Sequence, residues 1–298
     1  MDKETNHQHA IRSNKETQTD HNIGNLNVSI VRFEQPFEMI ASLVALLMQS
    51  SVVQTIFLID NSATDEPRFL SLPIQYTNND HNIGFGRAHN IALKKSINYN
   101  TRFHVVMNPD VIFEPEILHK IVDFMQENPT VGALMPKVFY PNGNLQYLCK
   151  LLPTPIDVFM KRFIPKQWAA KRMNQFQLKE WGYDKILNVP YLSGCFMVLR
   201  TQAIKEVGLF DEQFFLYPED IDLSRRIHEQ YETIFYPQVS IVHTHEQGSY
   251  KNLKLLVIHV INMIRYFNKW GWINDDKRKQ INRQTLDQIL TFKNQNIL

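Results

Sequence analysis

Cysteine is scarce in this 298-residue chain: only Cys149 and Cys195 are present, far apart and without metal-ligand spacing around them. That excludes a disulfide-stapled scaffold and a cysteine-built zinc site, and both thiols are expected to be reduced and buried. Charge of one sign is also missing, since 32 Lys and Arg face 30 Asp and Glu, a formal net charge of +2. No global attraction to nucleic acid follows, so any basic surface must be local. Long apolar runs are absent too: no stretch reaches the roughly 20 apolar residues of a membrane-spanning helix. The polar N-terminus lacks the apolar core of a signal peptide, so the chain is expected on the cytosolic side. Glycine is missing where a dinucleotide site would need it. The apolar run 28–31 leads into Arg32-Phe33-Glu34-Gln35-Pro36, with no phosphate turn.

What is present reads as a folded α/β protein. Hydrophobic residues make up 44% of the chain and charged residues 21%, enough for one large domain with a smaller appendage. Residues 1–27 have few aliphatics and no aromatics, which predicts a disordered polar tail with solvated His7, His9 and His21. Short apolar runs at 28–31, 56–59, 74–77 and 104–107 predict strands. Amphipathic stretches at 37–49, 85–97 and 114–126 predict the helices between them. This alternation implies a mostly parallel sheet with helices on both faces. Pro141-Asn142-Gly143 marks a hairpin turn. The segment 150–180 carries three prolines and seven Lys or Arg against two acidic residues. It reads equally as a lid or acceptor-contacting segment and as a solvated helical excursion.

Polar residues that follow apolar strands of a parallel sheet lie at the strands' carboxyl ends, where such folds bind ligands. Asp60-Asn61 and Asn108-Pro109-Asp110 satisfy this. An acidic pair, Glu219 and Asp220, precedes an amphipathic stretch bearing Ile221, Leu223 and Ile227. His243 closes an apolar run at 239–242, with His245 two residues beyond. Each alone has an ordinary structural reading, as a turn, a cap or a core histidine.

Taken together and in order, five segments resemble family-2 glycosyltransferases, especially the bacterial rhamnosyltransferase-like branch. They are Leu58-Ile59-Asp60-Asn61-Ser62-Ala63-Thr64-Asp65, Asn82-Ile83-Gly84-Phe85-Gly86-Arg87-Ala88-His89-Asn90 and Met107-Asn108-Pro109-Asp110, followed by Leu192-Ser193-Gly194-Cys195-Phe196-Met197. The fifth runs from Gly208-Leu209-Phe210-Asp211-Glu212 to Tyr217-Pro218-Glu219-Asp220-Ile221-Asp222-Leu223. The resemblance spans about 28–249 and implies a GT-A fold, with a nucleotide-binding half at 28–140 and an acceptor-binding half at 141–249. Residues 250–298 would add basic amphipathic helices.

The resemblance implies inverting transfer from a nucleotide-diphospho-sugar donor to a glycan or polyprenyl-linked saccharide, with Mg²⁺ or Mn²⁺ as cofactor. Asp110 matches the second carboxylate of the family's metal motif, with Asn108 in place of the first, and His243 resembles the downstream metal ligand. Asp60, Asn61, Asn82, Gly84, Arg87, Asn90 and Asn108 would line the nucleotide sugar. Asp220 resembles the general base. Glu219, Ser193, Gly194 and Arg226 would serve the acceptor, with Arg226 holding the acidic pair. The first strand departs from the family's Thr/Asn-Tyr-Asn turn by offering Arg32-Phe33-Glu34, which puts that nucleobase contact in doubt.

dTDP-L-rhamnose is the expected donor, with a UDP-hexose or UDP-N-acetylhexosamine as the alternative. Two rivals remain: a nucleotidyltransferase, which wants a glycine-rich basic loop that is missing here, and a non-catalytic sugar-binding module. The stripe Leu253, Leu256, Val257, Val260, Ile261 and Ile264, followed by Tyr266, Phe267, Trp270 and Trp272, suits two roles. It would either pack on the domain or rest peripherally on the anionic inner face of the cell membrane.

Overall fold

A computed structural model describes residues 25–244 and 253–295. The strands are β1 (Leu26–Arg32), β2 (Val53–Asp60), β3 (Gln75–Asn78), β4 (Phe103–Met107), β5 (Val111–Ile112), β6 (Val131–Phe139), β7 (Leu187–Asn188), β8 (Phe196–Arg200) and β9 (Glu232–His243). The helices are α1 (Phe37–Leu47), α2 (Phe85–Asn98), α3 (Glu116–Glu127), α4 (Pro155–Phe163), α5 (Lys166–Phe176), α6 (Thr201–Val207), α7 (Glu219–His228), α8 (Leu253–Trp270) and α9 (Asp276–Gln295). The first strand begins at Leu26, inside the segment expected to be tail. The tail histidines and His245 lie outside the described residues.

One sheet runs β3-β2-β1-β4-β8-β6-β9-β5, with β7 paired to β9. Strands β3, β2, β1 and β4 are mutually parallel, as are β6 and β9. Most paired residues therefore stand in parallel ladders. Strand β8 is inserted antiparallel between β4 and β6. That insertion carries the chain's second half back to the β4 edge, where the site forms.

Two-residue alternation assigns the faces of the first strands. Leu26, Val28 and Ile30 of β1 join Ile40, Leu43, Val44 and Leu47 of α1 and the apolar face of α3. On the opposite face, α6, α7 and α9 supply Ile204, Leu223, Ile227 and Ile289. The segment 150–180 is a packed helical excursion. Thr154 and Asp157 form a capping box at the start of α4, while Phe176, Leu178 and Trp181 enter the core.

Asn27 and Ser29 of β1 face α2 among polar neighbours, and of the two only Asn27 Oδ1 is left without a hydrogen-bond partner among the described residues. Ser29 Oγ lies 2.6 Å from His89 Nδ1 and 2.7 Å from His104 Nε2. Ser96 Oγ lies 2.7 Å from His104 Nδ1 and accepts from Asn27 Nδ2 at 2.8 Å. Burial pushes His104 down to about 3, and burial with the nearby His104 holds His89 well below the ordinary histidine value. Both are neutral in the folded protein. Below pH 6.5 the unfolded chain binds protons that the folded chain refuses, so stability falls as pH falls toward 3. We expect each histidine to remove about 1.4 kcal/mol per pH unit in that window. Urea denaturation from pH 7 to 5 measures the loss, and His104→Gln should flatten the slope.

Candidate active site

Asp60, Asn108, Asp110 and His243 sit at or just past strand ends, and Glu219 and Asp220 open α7. Asp110 follows the end of β4 by three residues. Pairing of β5 with the end of β9 sets Val111 opposite His243, and Thr244 N donates to Asp110 O at 3.1 Å. His243 Nε2 thereby lies 3.4 Å from Asp110 Oδ1 and 3.1 Å from Asn108 Nδ2.

Gln146 sets the histidine's tautomer. Its Nε2 donates to the carbonyls of His243 at 2.6 Å and Phe139 at 3.2 Å. Its Oε1 then faces His243 Nδ1 at 3.2 Å. The proton therefore sits on Nδ1, and the Nε2 lone pair faces Asp110 and Asn108. A carboxylate oxygen beside an imidazole lone pair, oriented from behind by an amide, fits a divalent cation. No cluster of three or more His, Cys, Asp or Glu suited to a metal exists among the described residues. The remaining ligands would have to come from a substrate's oxygens.

The acidic pair opens α7. Asp220 Oδ1 accepts from Ile221 N at 2.8 Å and Oδ2 from Gly194 N at 3.2 Å. Burial raises the Asp220 carboxyl above its ordinary value, and the nearby Lys150 ammonium works against that rise. Glu219 is buried and Oε2 has no hydrogen-bond partner. Burial first, then the adjacent Asp220 charge, push its carboxyl well up. Ser193-Gly194-Cys195 joins the two halves of the site, since Gly194 N meets Asp220 while Cys195 O accepts from Asn108 N at 2.9 Å. A Cβ on Gly194 would lie 3.1 Å from Phe85 Cε1, so a side chain there would press on the Phe85 ring.

Asp60, at the end of β2, is fully buried and engaged on both oxygens. Arg32 Nη1 donates to Oδ2 at 2.6 Å, Tyr76 Oη donates to Oδ2 at 3.1 Å and Ser62 N donates to Oδ1 at 2.9 Å. The departure noted at Arg32 is therefore an ion pair with Asp60, and this carboxylate is committed to the fold instead of standing open. Arg32→Ala would strand it, so we expect a loss of about 3 kcal/mol or more. Arg32→Met with Asp60→Asn should lose less, because the buried charge goes too; chemical denaturation compares them.

Asn61 and Asn82 brace the turn before α2. Asn61 Nδ2 donates to Asn82 Oδ1 and Gly84 O, each at 3.2 Å. Gly84 has φ +95, and a Cβ there would lie 2.4 Å from Phe215 O, so only glycine fits. Arg87 is exposed and pairs with Glu212 at 3.4 Å.

Two expectations need correction. Asn90 is buried, and its amide clamps the Phe210 backbone, donating at 2.9 Å and accepting at 3.0 Å. It supports the loop before α7 and presents no surface to a nucleotide. Arg226 does not hold the Glu219–Asp220 pair. It bonds Asp222 at 2.9 Å and the carbonyls of Val207, Gly208 and Leu209, tying the end of α6 to α7.

Sequence reasoning missed Gln146, Lys150 and the bolts between α7 and the C-terminal helices. Arg225 is buried, forms a two-bond pair with Asp275 at 2.6 and 2.8 Å, and stacks on Trp270. Asp222 accepts from Trp270 Nε1 at 2.8 Å and meets Lys269 Nζ at 2.8 Å. The one available signal was Arg225-Arg226 and Asp222 on a helix otherwise facing the core.

An acid–histidine pair at the strand ends and a buried acidic pair at the start of α7 are thus linked through Ser193-Gly194-Cys195. The chain belongs to the glycosyltransferase like family 2, whose model matches residues 66–261. Over 140 residues it is 28% identical to an N-acetylglucosaminyl-diphospho-decaprenol L-rhamnosyltransferase of Mycobacterium tuberculosis, a match covering 47% of this chain and 46% of that protein. The match thus spans about half the length of that curated relative.

Solved structures share the GT-A fold. The crystal structure of GalNAc-T7 with UDP, GalNAc and Mn²⁺ superposes with a TM-score of 0.55 at 15% identity, over 76% of this chain and 44% of that one. The mannosyltransferase PcManGT of Pyrobaculum calidifontis, in complex with GDP-Man and Mn²⁺, gives 0.52 at 14% identity, over 90% and 76%. S. aureus TarS gives 0.54 at 15% identity, over 88% and 43%.

Proposed function

We propose that the protein is an inverting glycosyltransferase that moves a sugar from a nucleotide-diphosphate donor to a saccharide acceptor in bacterial surface-glycan synthesis. The observation that carries this is the joining of two chemically distinct halves by Ser193-Gly194-Cys195: Asp110 with His243 on one side, Asp220 on the other. Asp110 and His243 would hold a Mg²⁺ or Mn²⁺ ion, which would supply positive charge against the leaving diphosphate.

Asp220 takes the proton from an acceptor hydroxyl as its oxygen bonds to the anomeric carbon. The bond from that carbon to the diphosphate breaks on the opposite face, the nucleoside diphosphate departs, and configuration inverts. The raised basicity of Asp220 suits the role, because a carboxylate near its ordinary value is a weaker base. Glu219, whose carboxyl is pushed well up by burial and by the adjacent Asp220 charge, supports the pair and orients the acceptor. The nucleobase is read near the Arg32–Asp60 pair and the Asn61–Gly84 turn.

dTDP-L-rhamnose is the favoured donor and a polyprenyl-diphosphate saccharide the favoured acceptor, on the similarity to the mycobacterial rhamnosyltransferase. A UDP-hexose or UDP-N-acetylhexosamine is the second donor reading, favoured by the fold shared with the UDP-bound structure. The test is a donor panel of dTDP-L-rhamnose, UDP-glucose and UDP-N-acetylglucosamine with Mn²⁺ on short polyprenyl-diphosphate saccharides, with transfer scored by product mass and the anomeric configuration by NMR. Transfer from one donor with inversion supports the reading. Failure of every donor and acceptor, with donor binding intact, would favour a binding module.

A further inference from the structure

Helix α8 has two apolar faces, and only one is covered. Met263, Tyr266 and Phe267 are buried beside Leu152, Phe214, Ile221 and Ile281. On the other side Leu253 is 76% exposed, and Val257, Val260, Ile261 and Ile264 are 42–50% exposed. Their spacing of three and four residues makes one continuous stripe, about 17 Å long. Trp272 and Ile273, just past the helix, are exposed as well. Singly exposed apolar residues need no explanation, but an aligned run of branched side chains on one helix does.

Charge decides between coverings. Helix α8 carries Lys254, Arg265 and Lys269 and no Asp or Glu. Lys269 is matched by Asp211 and Asp222. Arg265 is held by oxygens of Gln213 and Asn262, both neutral groups. A second copy packed through a two-fold axis would bring this cationic face against itself. The segment 1–24 offers few aliphatics to cover the stripe. No helix among the described residues is long and apolar enough to cross a membrane. A helix that is apolar along one exposed stripe and carries Lys and Arg but no Asp or Glu fits the boundary of an anionic bilayer.

We propose that the outer face of α8 seats the protein on an anionic lipid surface and thereby fixes the height of the catalytic helix above it. The connection is rigid. Asn262 Nδ2 donates to Leu216 O at 2.9 Å and Arg265 Nη1 to Gln213 O at 2.7 Å, in the loop that leads to Glu219 and Asp220. Trp270 and Asp275 hold α7 itself through Asp222 and Arg225. A lipid-linked saccharide would then meet the base at a set distance from the bilayer. The seating deepens the lipid-linked reading, but its test uses neither donor nor acceptor.

The full chain is sedimented with phosphatidylglycerol-rich vesicles and with phosphatidylcholine vesicles. Val257→Ser, Ile261→Ser and Ile264→Ser are combined in one variant, and its melting temperature checks the fold. Wild type should bind the anionic vesicles, lose binding in high salt and bind the neutral vesicles weakly. The triple variant should bind the anionic vesicles at least about tenfold more weakly, with its melting temperature unchanged. Equal vesicle binding by wild type and variant would overturn the proposal, as would no binding by wild type. A monomer–dimer equilibrium abolished by the variant, without vesicle binding, would assign the face to a second copy instead.

Discussion

Asp220→Asn is expected to keep nucleotide affinity and lose transfer by roughly 100-fold or more. The acceptor hydroxyl is a poor nucleophile until a base takes its proton. Asparagine keeps the shape and the contact with Gly194 N but has no basic oxygen to accept that proton. Calorimetry with the nucleoside diphosphate and steady-state rates at saturating acceptor separate the two effects. A pH signature accompanies the loss. The Asp220 carboxyl lies above its ordinary value, chiefly through burial. Protonation removes the base, so kcat/KM should fall as pH drops through that raised value, at a higher pH than for an ordinary aspartate. Near-normal turnover by Asp220→Asn would move the role to Glu219 or Asp222.

Asp110→Ala is expected to abolish the Mn²⁺-dependent rise in melting temperature that dTDP or UDP produces. A ligand at 100 times its Kd stabilises the fold by about 2.7 kcal/mol, enough to read by thermal shift. Without the carboxylate only His243 remains beside Asn108, and a diphosphate loses its link to the protein through the cation. Chelator should stop wild-type turnover. Gln146→Ala gives a graded version, because it frees the His243 ring without removing a ligand; an effect of about 10- to 100-fold on metal affinity is expected. Full activity in excess EDTA would remove the metal from the reaction.

Much of the architecture is legible from local pattern. The apolar runs at 28–31, 56–59 and 104–107 became β1, β2 and β4, and 85–97 became α2, because side-chain period is a property of neighbours in the chain. Polar residues directly after those runs were correctly placed at strand ends. Longer-range features were hidden. No local signal says that β8 enters antiparallel between β4 and β6, or that Gln146 orients His243. Asn90 and Arg226 misled because their motif positions say where they lie along a helix, not which carbonyl their side chains reach.

The C-terminal stripe shows the same division. Sequence period marked α8 as amphipathic but offered packing and membrane contact as alternatives. The fold shows one face packed, covering Met263, Tyr266 and Phe267, and leaves Val257, Ile261 and Ile264 exposed.

By itself, the sequence determined the succession of strands and helices as far as α3, the family and the chemical types at the strand ends. Those follow from periodicity, composition and short motifs within a few residues of each other. Tertiary structure decided which groups meet: Asn108 with His243 across 135 positions, Arg32 with Asp60, and Arg225 with Asp275 across 50. Such pairings depend on ladder register and on the closure of long loops, and a shift of one residue in β9 would turn His243 to the other face of the sheet.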